Sequence, residues 1–333
     1  MDTRRLGANG PVVAAMGLGC MGMSGVYGSA DEDESVATIH AALDAGVTLL
    51  DTGDFYGMGH NELLIREALR GRRRDQVVLS VKCGALRGPD GRWGGQDGRP
   101  EALWNFLAYS LQRLGTDHLD VYRPARVDPA VPFEETVGAI GDMVTAGYVR
   151  HVGVSEIGAD TLRKASAVHP IGDLQIEYSL LSRNIEASVL PTCRELGIGV
   201  TAYGILSRGL LSGHWRPDRS LEPGDFRARA PRFHGANLAH NLALVDGLDE
   251  VARERGLTVA QAAVAWVLAQ GDDIVPLVGA KRRDQLEESL AAAERVLGPD
   301  DLAAIETAVP ADDVMGTRYP EPQMAHLDSE RST

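Results

Sequence analysis

The stretch LLDTGDFYG (residues 49–57) ends a short apolar run, Val47 to Leu50, on Asp51, with Asp54 and Tyr56 close behind. Polar, chemically active side chains at the end of an apolar strand point to a parallel sheet whose strand ends form a site. Comparable runs recur along the chain: VVAAMGLG (12–19), VVLSV (77–81), LDVY (119–122), VRHVGV (149–154), DLQIE (173–177), GVTAY (199–203) and DIVPLV (273–278). Helical patterns separate them, as in DESVATIHAALDAG, where Val36, Ile39 and Leu43 share one face and Gly46 is a C-terminal stop. Eight alternations predict either a (β/α)8 TIM barrel or a doubly wound sheet. A doubly wound sheet that binds dinucleotides carries G-x-G-x-x-G at a strand–turn–helix junction. Here Gly17, Gly19 and Gly22 have that spacing, but a loop rather than a helix follows. The barrel is therefore the expectation, as one domain over residues 1–333, with a C-terminal tail from about residue 312.

Two long loops follow the third and seventh strands, at 83–100 and 207–240. The first is too rich in glycine to be regular and has Trp93 at its centre. Loops of this length are usually functional or disordered. The 33 basic and 47 acidic residues give a net charge of −14, which argues against a nucleic-acid or anionic-membrane binder. Cys20, Cys83 and Cys193 lie far apart, with neither disulfide nor metal-ligand spacing, which fits a reducing cytoplasm and no metal. No leader-like apolar segment and no run of membrane-spanning length is present, and nothing specifies an oligomeric state.

The strand ends in turn carry Asp51, Lys82, Ser155 with Glu156, Gln175 with Glu177, and Tyr203, and the eighth leads into GAKRRDQLEES (279–289). Lys82 closes a strongly apolar strand, and lysine is rarely buried unpaired, so Asp51 on the neighbouring strand is its natural partner. A lysine ammonium beside Tyr56 favours the phenolate and lowers the phenol toward working pH. Tyr56, Lys82 and Asp51 thus form a candidate proton-donating relay with Tyr56 as general acid. Asp54 fits the loop leading into the next helix.

These residues, with NELLIREAL, LQRLGTDHLDVY, GYVRHVGVSE, LQIEYSLLSR and GIGVTAYGILSRGLLSG, resemble the aldo-keto reductases over about residues 5–310. The likeness extends to bacterial carbonyl-reducing and pyridoxal-reductase-like members. The resemblance implies a barrel enzyme that reduces aldehydes or ketones with NADPH. It implies Tyr56 as proton donor, Lys82 as the residue that lowers its pKa, and Asp51 as the partner of Lys82. On the cofactor side it implies Gly19, Met21 and Asp51 near the first two strand ends. Ser155 and Gln175 would hold the nicotinamide carboxamide, and Tyr203 would stack on the ring. Gly204, Leu206, Ser207 and Arg208 would cover the pyrophosphate. Gly279, Lys281, Arg282, Gln285 and Glu288 would hold the adenosine end. Lys281 and Arg282 would pair the 2′-phosphate of NADP+ or NADPH. Ser289 stands where the family usually has Asn.

One departure concerns DVYRPARVDP (120–129): aligned on RVDP, the family's carbonyl-orienting histidine is Ala125. Losing such a donor costs about 2.7–4 kcal/mol of transition-state stabilisation. The vacated space would admit water, a bulkier substrate or another side chain such as Arg123. His60, His118 and His151 are poor substitutes by position. The substrate pocket is expected around Tyr56, Trp93 and Ala125, with Trp93 either lining the site or anchoring its loop. Cys83 either faces the pocket or packs between strand and helix, the usual place of a single cysteine. Two other readings are an NADPH-binding sensor or regulatory subunit with weak turnover, suggested by Ala125, and a Schiff-base lyase using Lys82, though a lyase has no use for GAKRR or Tyr203.

Overall fold

The computed structural model describes residues 1–330. Its eight parallel strands are β1 Gly17–Gly19, β2 Leu49–Gly53, β3 Val78–Cys83, β4 Leu119–Pro124, β5 Val149–Ser155, β6 Ile171–Glu177, β7 Gly199–Tyr203 and β8 Ile274–Gly279. They pair in chain order, and β8 pairs back to β1, closing a (β/α)8 barrel. Helices α1 Glu32–Asp44, α2 His60–Ala68, α3 Pro100–Leu114, α4 Phe133–Thr145, α5 Ala159–Val168 and α6 Val189–Leu196 follow the first six strands. The local logic is plain in α3. Pro100 is tolerated in the first turn, Leu103, Leu107 and Leu114 turn inward, and Gly115 ends the helix at φ 68°. After β7 come α7 Gly235–Glu254 and α8 Val259–Ala269, and after β8 come α9 Arg283–Leu290 and α10 Pro299–Ala308. Helices α7 and α10, which the sequence reading does not anticipate, pack against each other.

Two local expectations change. The run 12–19 splits. Val12–Ala14 pairs antiparallel with Thr3–Arg5 as a hairpin, and only Gly17–Gly19 joins the barrel. The loop 83–100 is not irregular, since Ala85–Arg87 and Trp93–Gln96 form a second hairpin. The tail packs down over its described part, where Arg318 and Leu327 are buried, and Arg331–Thr333 lie outside the described residues.

Strand alternation sends Leu18, Leu50, Leu79, Val81, Leu174, Ile176, Val200 and Ala202 outward, into one core shared with the helices. Inside, Leu49, Val275 and Leu277 join Leu6 and Val13 of the N-terminal hairpin to plug the bottom. The plug sits close. A Cβ on Gly199 would lie 2.5 Å from the Gly7 nitrogen, so both positions need glycine. Above the plug the interior becomes polar. Arg123 bonds Asp173 at 2.8 Å and Ser80 at 2.8 Å, and Gly153 leaves room for its guanidinium. No helix among the described residues is long and apolar enough to cross a membrane.

Candidate active site

Strands β2 and β3 are neighbours, with Asp51 opposite Ser80 and Gly53 opposite Lys82. Both Asp51 and Lys82 face inward and are buried, which brings the ammonium onto the carboxylate. Asp51 also accepts from Ser80 Oγ at 2.9 Å and from Gln175 Nε2 at 2.7 Å, while Lys82 Nζ donates to Gln175 Oε1 at 2.8 Å. Ser80 donates to Asp51 and accepts from Arg123, so one polar network runs from Asp173 to Lys82. Such a network fixes the side chains it joins. Beyond β2 the Asp54 amide bonds the Lys82 carbonyl at 2.9 Å, and a 3-10 turn, Tyr56–Gly59, follows. The turn sets Tyr56 with its ring centroid 5.2 Å from Lys82 Nζ.

Burial pulls the Lys82 ammonium below its ordinary value, and Asp51 opposes this. Tyr56 departs from expectation: burial, then Asp51 and Tyr27, hold its phenol well above the ordinary tyrosine value. The Arg126 charge supplies the opposing pull. Phe55, Ala85 and Ala125 pack with Tyr56 into an apolar cup, and Trp93 meets Phe55 at 5.5 Å. Trp93 is 46% exposed, at the rim rather than the floor.

The residues assigned to a cofactor lie around the same mouth. Gly19 pairs with Asp51 at the end of β1, and Met21 opens the next turn. Ser155 Oγ and Ser207 Oγ are buried with no hydrogen-bond partner among the described residues. Orphaned buried hydroxyls are costly and suit a polar ligand. Gly204, Leu206, Ser207 and Arg208 follow β7, and Ser207 and Arg208 take φ 45° and 56°. The only other described non-glycine residues with positive φ are Met58 and Glu156, also at the mouth. Strain of this kind gathers at functional sites, and successive turned amides form anion cradles. These features fit a nicotinamide cofactor. At the far edge, Gly279 ends β8 and Lys281 Nζ donates to the Tyr27 and Ser29 carbonyls. Arg282 pairs with Asp284, Gln285 accepts from the Lys281 amide at 3.3 Å, and Glu288 meets His214 at 3.3 Å.

Two assignments are modified. Both ends of the Gln175 amide are engaged with the Lys82–Asp51 pair rather than free in the mouth. Arg123 does not fill the space above Ala125. It lies one inward position lower on the strand and is spent on Asp173 and Ser80.

The sequence reading names Glu156 and Glu177 without a role and misses Arg318, Tyr319 and Arg126. Glu156 accepts from Tyr203 Oη at 2.6 Å and from Arg318 at 2.9 Å. Burial would raise the Glu156 carboxyl, but the Arg318 charge and hydrogen bonds hold it far below the usual range. Glu177 takes Arg208 at 2.8 Å. Tyr319 bonds Tyr203 Oη at 2.9 Å and stacks beneath the Arg208 guanidinium at 4.7 Å. Glutamates at strand ends were a readable signal. The tail residues had none, because nothing local marks which distant strand a tail crosses.

The model of the aldo/keto reductase family matches residues 15–310. The soybean (Glycine max) protein called "Probable aldo-keto reductase 1" is 39% identical over 318 residues, spanning 95% of this chain and 91% of that protein. Among solved structures, glycerol dehydrogenase AKR11B4 from Gluconobacter oxydans superposes with a TM-score of 0.84 at 29% identity, over 92% of this chain and 94% of its own. The holo form of aldo-keto reductase AKR11C1 from Bacillus halodurans gives 0.77 at 27% identity, over 93% and 97%. This chain therefore belongs to the aldo/keto reductase family, oxidoreductases that act on carbonyls with a nicotinamide cofactor.

Proposed function

We propose that the protein reduces an aldehyde or ketone to the alcohol with NADPH, using Tyr56 as general acid, Lys82 and Asp51 as its electrostatic support, and no histidine. The observation that carries this reading is the Tyr56 ring, its centroid 5.2 Å from Nζ of a buried Lys82–Asp51 pair, on the wall of an apolar cup. NADPH, when bound, supplies the hydride. Ser155 would orient the nicotinamide through its orphaned hydroxyl, with Gln175 and Tyr203 alongside. Gly204, Leu206, Ser207 and Arg208 would hold the pyrophosphate. Gly19, Met21 and Gly279 would line its path. Lys281 and Arg282 would take the 2′-phosphate, with Gln285 and Glu288 at the adenine.

As charge builds on the substrate oxygen, Tyr56 gives up its proton, and the Lys82 ammonium stabilises the phenolate left behind. Asp51 keeps that ammonium charged and, with Gln175, fixed in place. Ala125, Phe55 and Trp93 shape the substrate side and exclude water without donating to the carbonyl. Tyr56→Phe is expected to abolish NADPH oxidation across an aldehyde and ketone panel while NADPH binding, followed by fluorescence, stays near wild type. Undiminished turnover in that variant sinks the mechanism. Ala125 favours one second reading, an NADPH-binding sensor or regulatory subunit with weak turnover, and efficient turnover of any carbonyl discards it.

A further inference from the structure

We infer that Arg126 binds a carboxylate carried by the substrate, so that the preferred carbonyl compound has an apolar body and an anionic end. This rests on the reductase reading above. Arg126 follows Ala125 directly, beside the cup of Phe55, Tyr56, Ala85 and Trp93. Four other arginines around the mouth each have an acid. Arg208 has Glu177, Arg318 has Glu156, Arg227 has Asp225, and Arg232 lies 3.6 Å from Glu177. Arg126 has none among the described residues. Its guanidinium donates to its neighbour's carbonyl, Ala125 O, at 2.6 Å and to the Tyr319 hydroxyl at a long 3.4 Å. Glu156 contributes to its field, but the oxygens of that carboxylate are taken, Oε1 by Tyr203 and Arg318 and Oε2 by Arg318 and Ser329.

Arg87, on the hairpin strand that begins with Ala85, repeats the pattern. It stacks 4.1 Å over Trp93, and its Nε is buried without a partner. Two guanidiniums without carboxylates beside one apolar cup are unusual in a chain of net charge −14. A planar guanidinium fork is built for a carboxylate, and the bond is charge-assisted. The inference also gives Ala125 a sense. Binding energy from a remote anionic group can be used to position a carbonyl that lacks its usual hydrogen-bond donor.

The test compares 4-formylbenzoate with its neutral methyl ester as substrates for the full-length protein with NADPH. The expected kcat/KM ratio favours the acid by about 10- to 100-fold, the range of one charge-assisted hydrogen bond, mainly through KM. Arg126→Gln brings the ratio close to one, Arg126→Lys keeps part of it, and added NaCl erodes it in the wild type. A wild-type ratio at or below one, or an unchanged ratio in Arg126→Gln, overturns the inference. If Arg126→Gln does not fold, the wild-type ratio and its salt dependence decide alone. Calorimetric binding of 4-formylbenzoate to the NADPH-loaded protein separates the two readings. Salt-sensitive, Arg126-dependent binding without NADPH oxidation upholds this inference and removes the reductase reading. Turnover of both aldehydes at equal efficiency does the reverse.

Discussion

Asp51→Asn removes one charge from a buried pair and leaves the geometry nearly intact. The carboxylate accepts from three side chains, Lys82, Ser80 and Gln175. Asparagine offers one acceptor oxygen in place of two and turns an NH2 toward a set of donors. The Lys82 ammonium then stays buried with only the Gln175 oxygen, and the nearby arginines Arg123 and Arg126 repel it. Breaking such a pair costs about 3–5 kcal/mol. A chain of this length has an unfolding entropy near 0.7 kcal/mol/K, so the melting temperature should fall by about 4–7 °C at neutral pH. Lysine can escape part of that cost by losing its proton. Its pKa is already lowered by burial, and removal of Asp51 removes the charge that opposes this. The neutral amine no longer supports a phenolate on Tyr56. Turnover should therefore fall as pH rises, at a lower pH than in the wild type, and recover partly on acidification. Calorimetric melts together with a kcat–pH profile read both effects. A variant that melts within about 1 °C of wild type with an unshifted pH profile would refute the role given to the pair.

Two stability predictions have opposite signs in pH. Arg318→Ala strips the strongest partner from Glu156, whose carboxyl is held far below its unfolded value by Arg318 against the effect of burial. A depressed carboxylate stabilises above its unfolded pKa, about 4.3, and that contribution is lost as pH falls through the folded value. The loss in melting temperature should be full at pH 7 and shrink in acid, and a pH-independent difference would contradict it. Asp54 behaves the other way. Burial, with Glu62 nearby, pushes its carboxyl up to about 8, and one of its oxygens is buried without a partner. The folded state then holds a proton that the unfolded chain has released, so stability declines between about pH 4 and pH 8. Asp54→Asn should melt higher than wild type near pH 8 and no higher below pH 4. An advantage independent of pH would mean that Asp54 is not buried as its acid.

The barrel was legible because its strands are short apolar runs bounded by glycine and polar residues, and those runs recur with helix-length spacing. Asp51, Tyr56 and Lys82 were legible for a related reason: a charge at the end of an apolar strand needs a partner, and strand order names the neighbour. Helix α7 was not, because Gly247 and several polar side chains blur the face that marks a helix. The split of residues 12–19 depended on a partner strand, Thr3–Arg5, too short to register as one.

The sequence by itself determined which polar side chains, Asp51, Lys82, Ser155, Gln175 and Tyr203 among them, stand at the strand ends. It could not determine where side chains point, because facing follows register and a shift of one residue reverses it. Register sends Arg123 below the Lys82–Asp51 pair and leaves Arg126 beside the cup. Only the tertiary structure could bring Arg318 to Glu156 and Tyr319 to Tyr203, pairs more than a hundred residues apart. It also set the sign of the Tyr56 shift, since a phenol responds to the whole charge and burial around it and not to its nearest lysine.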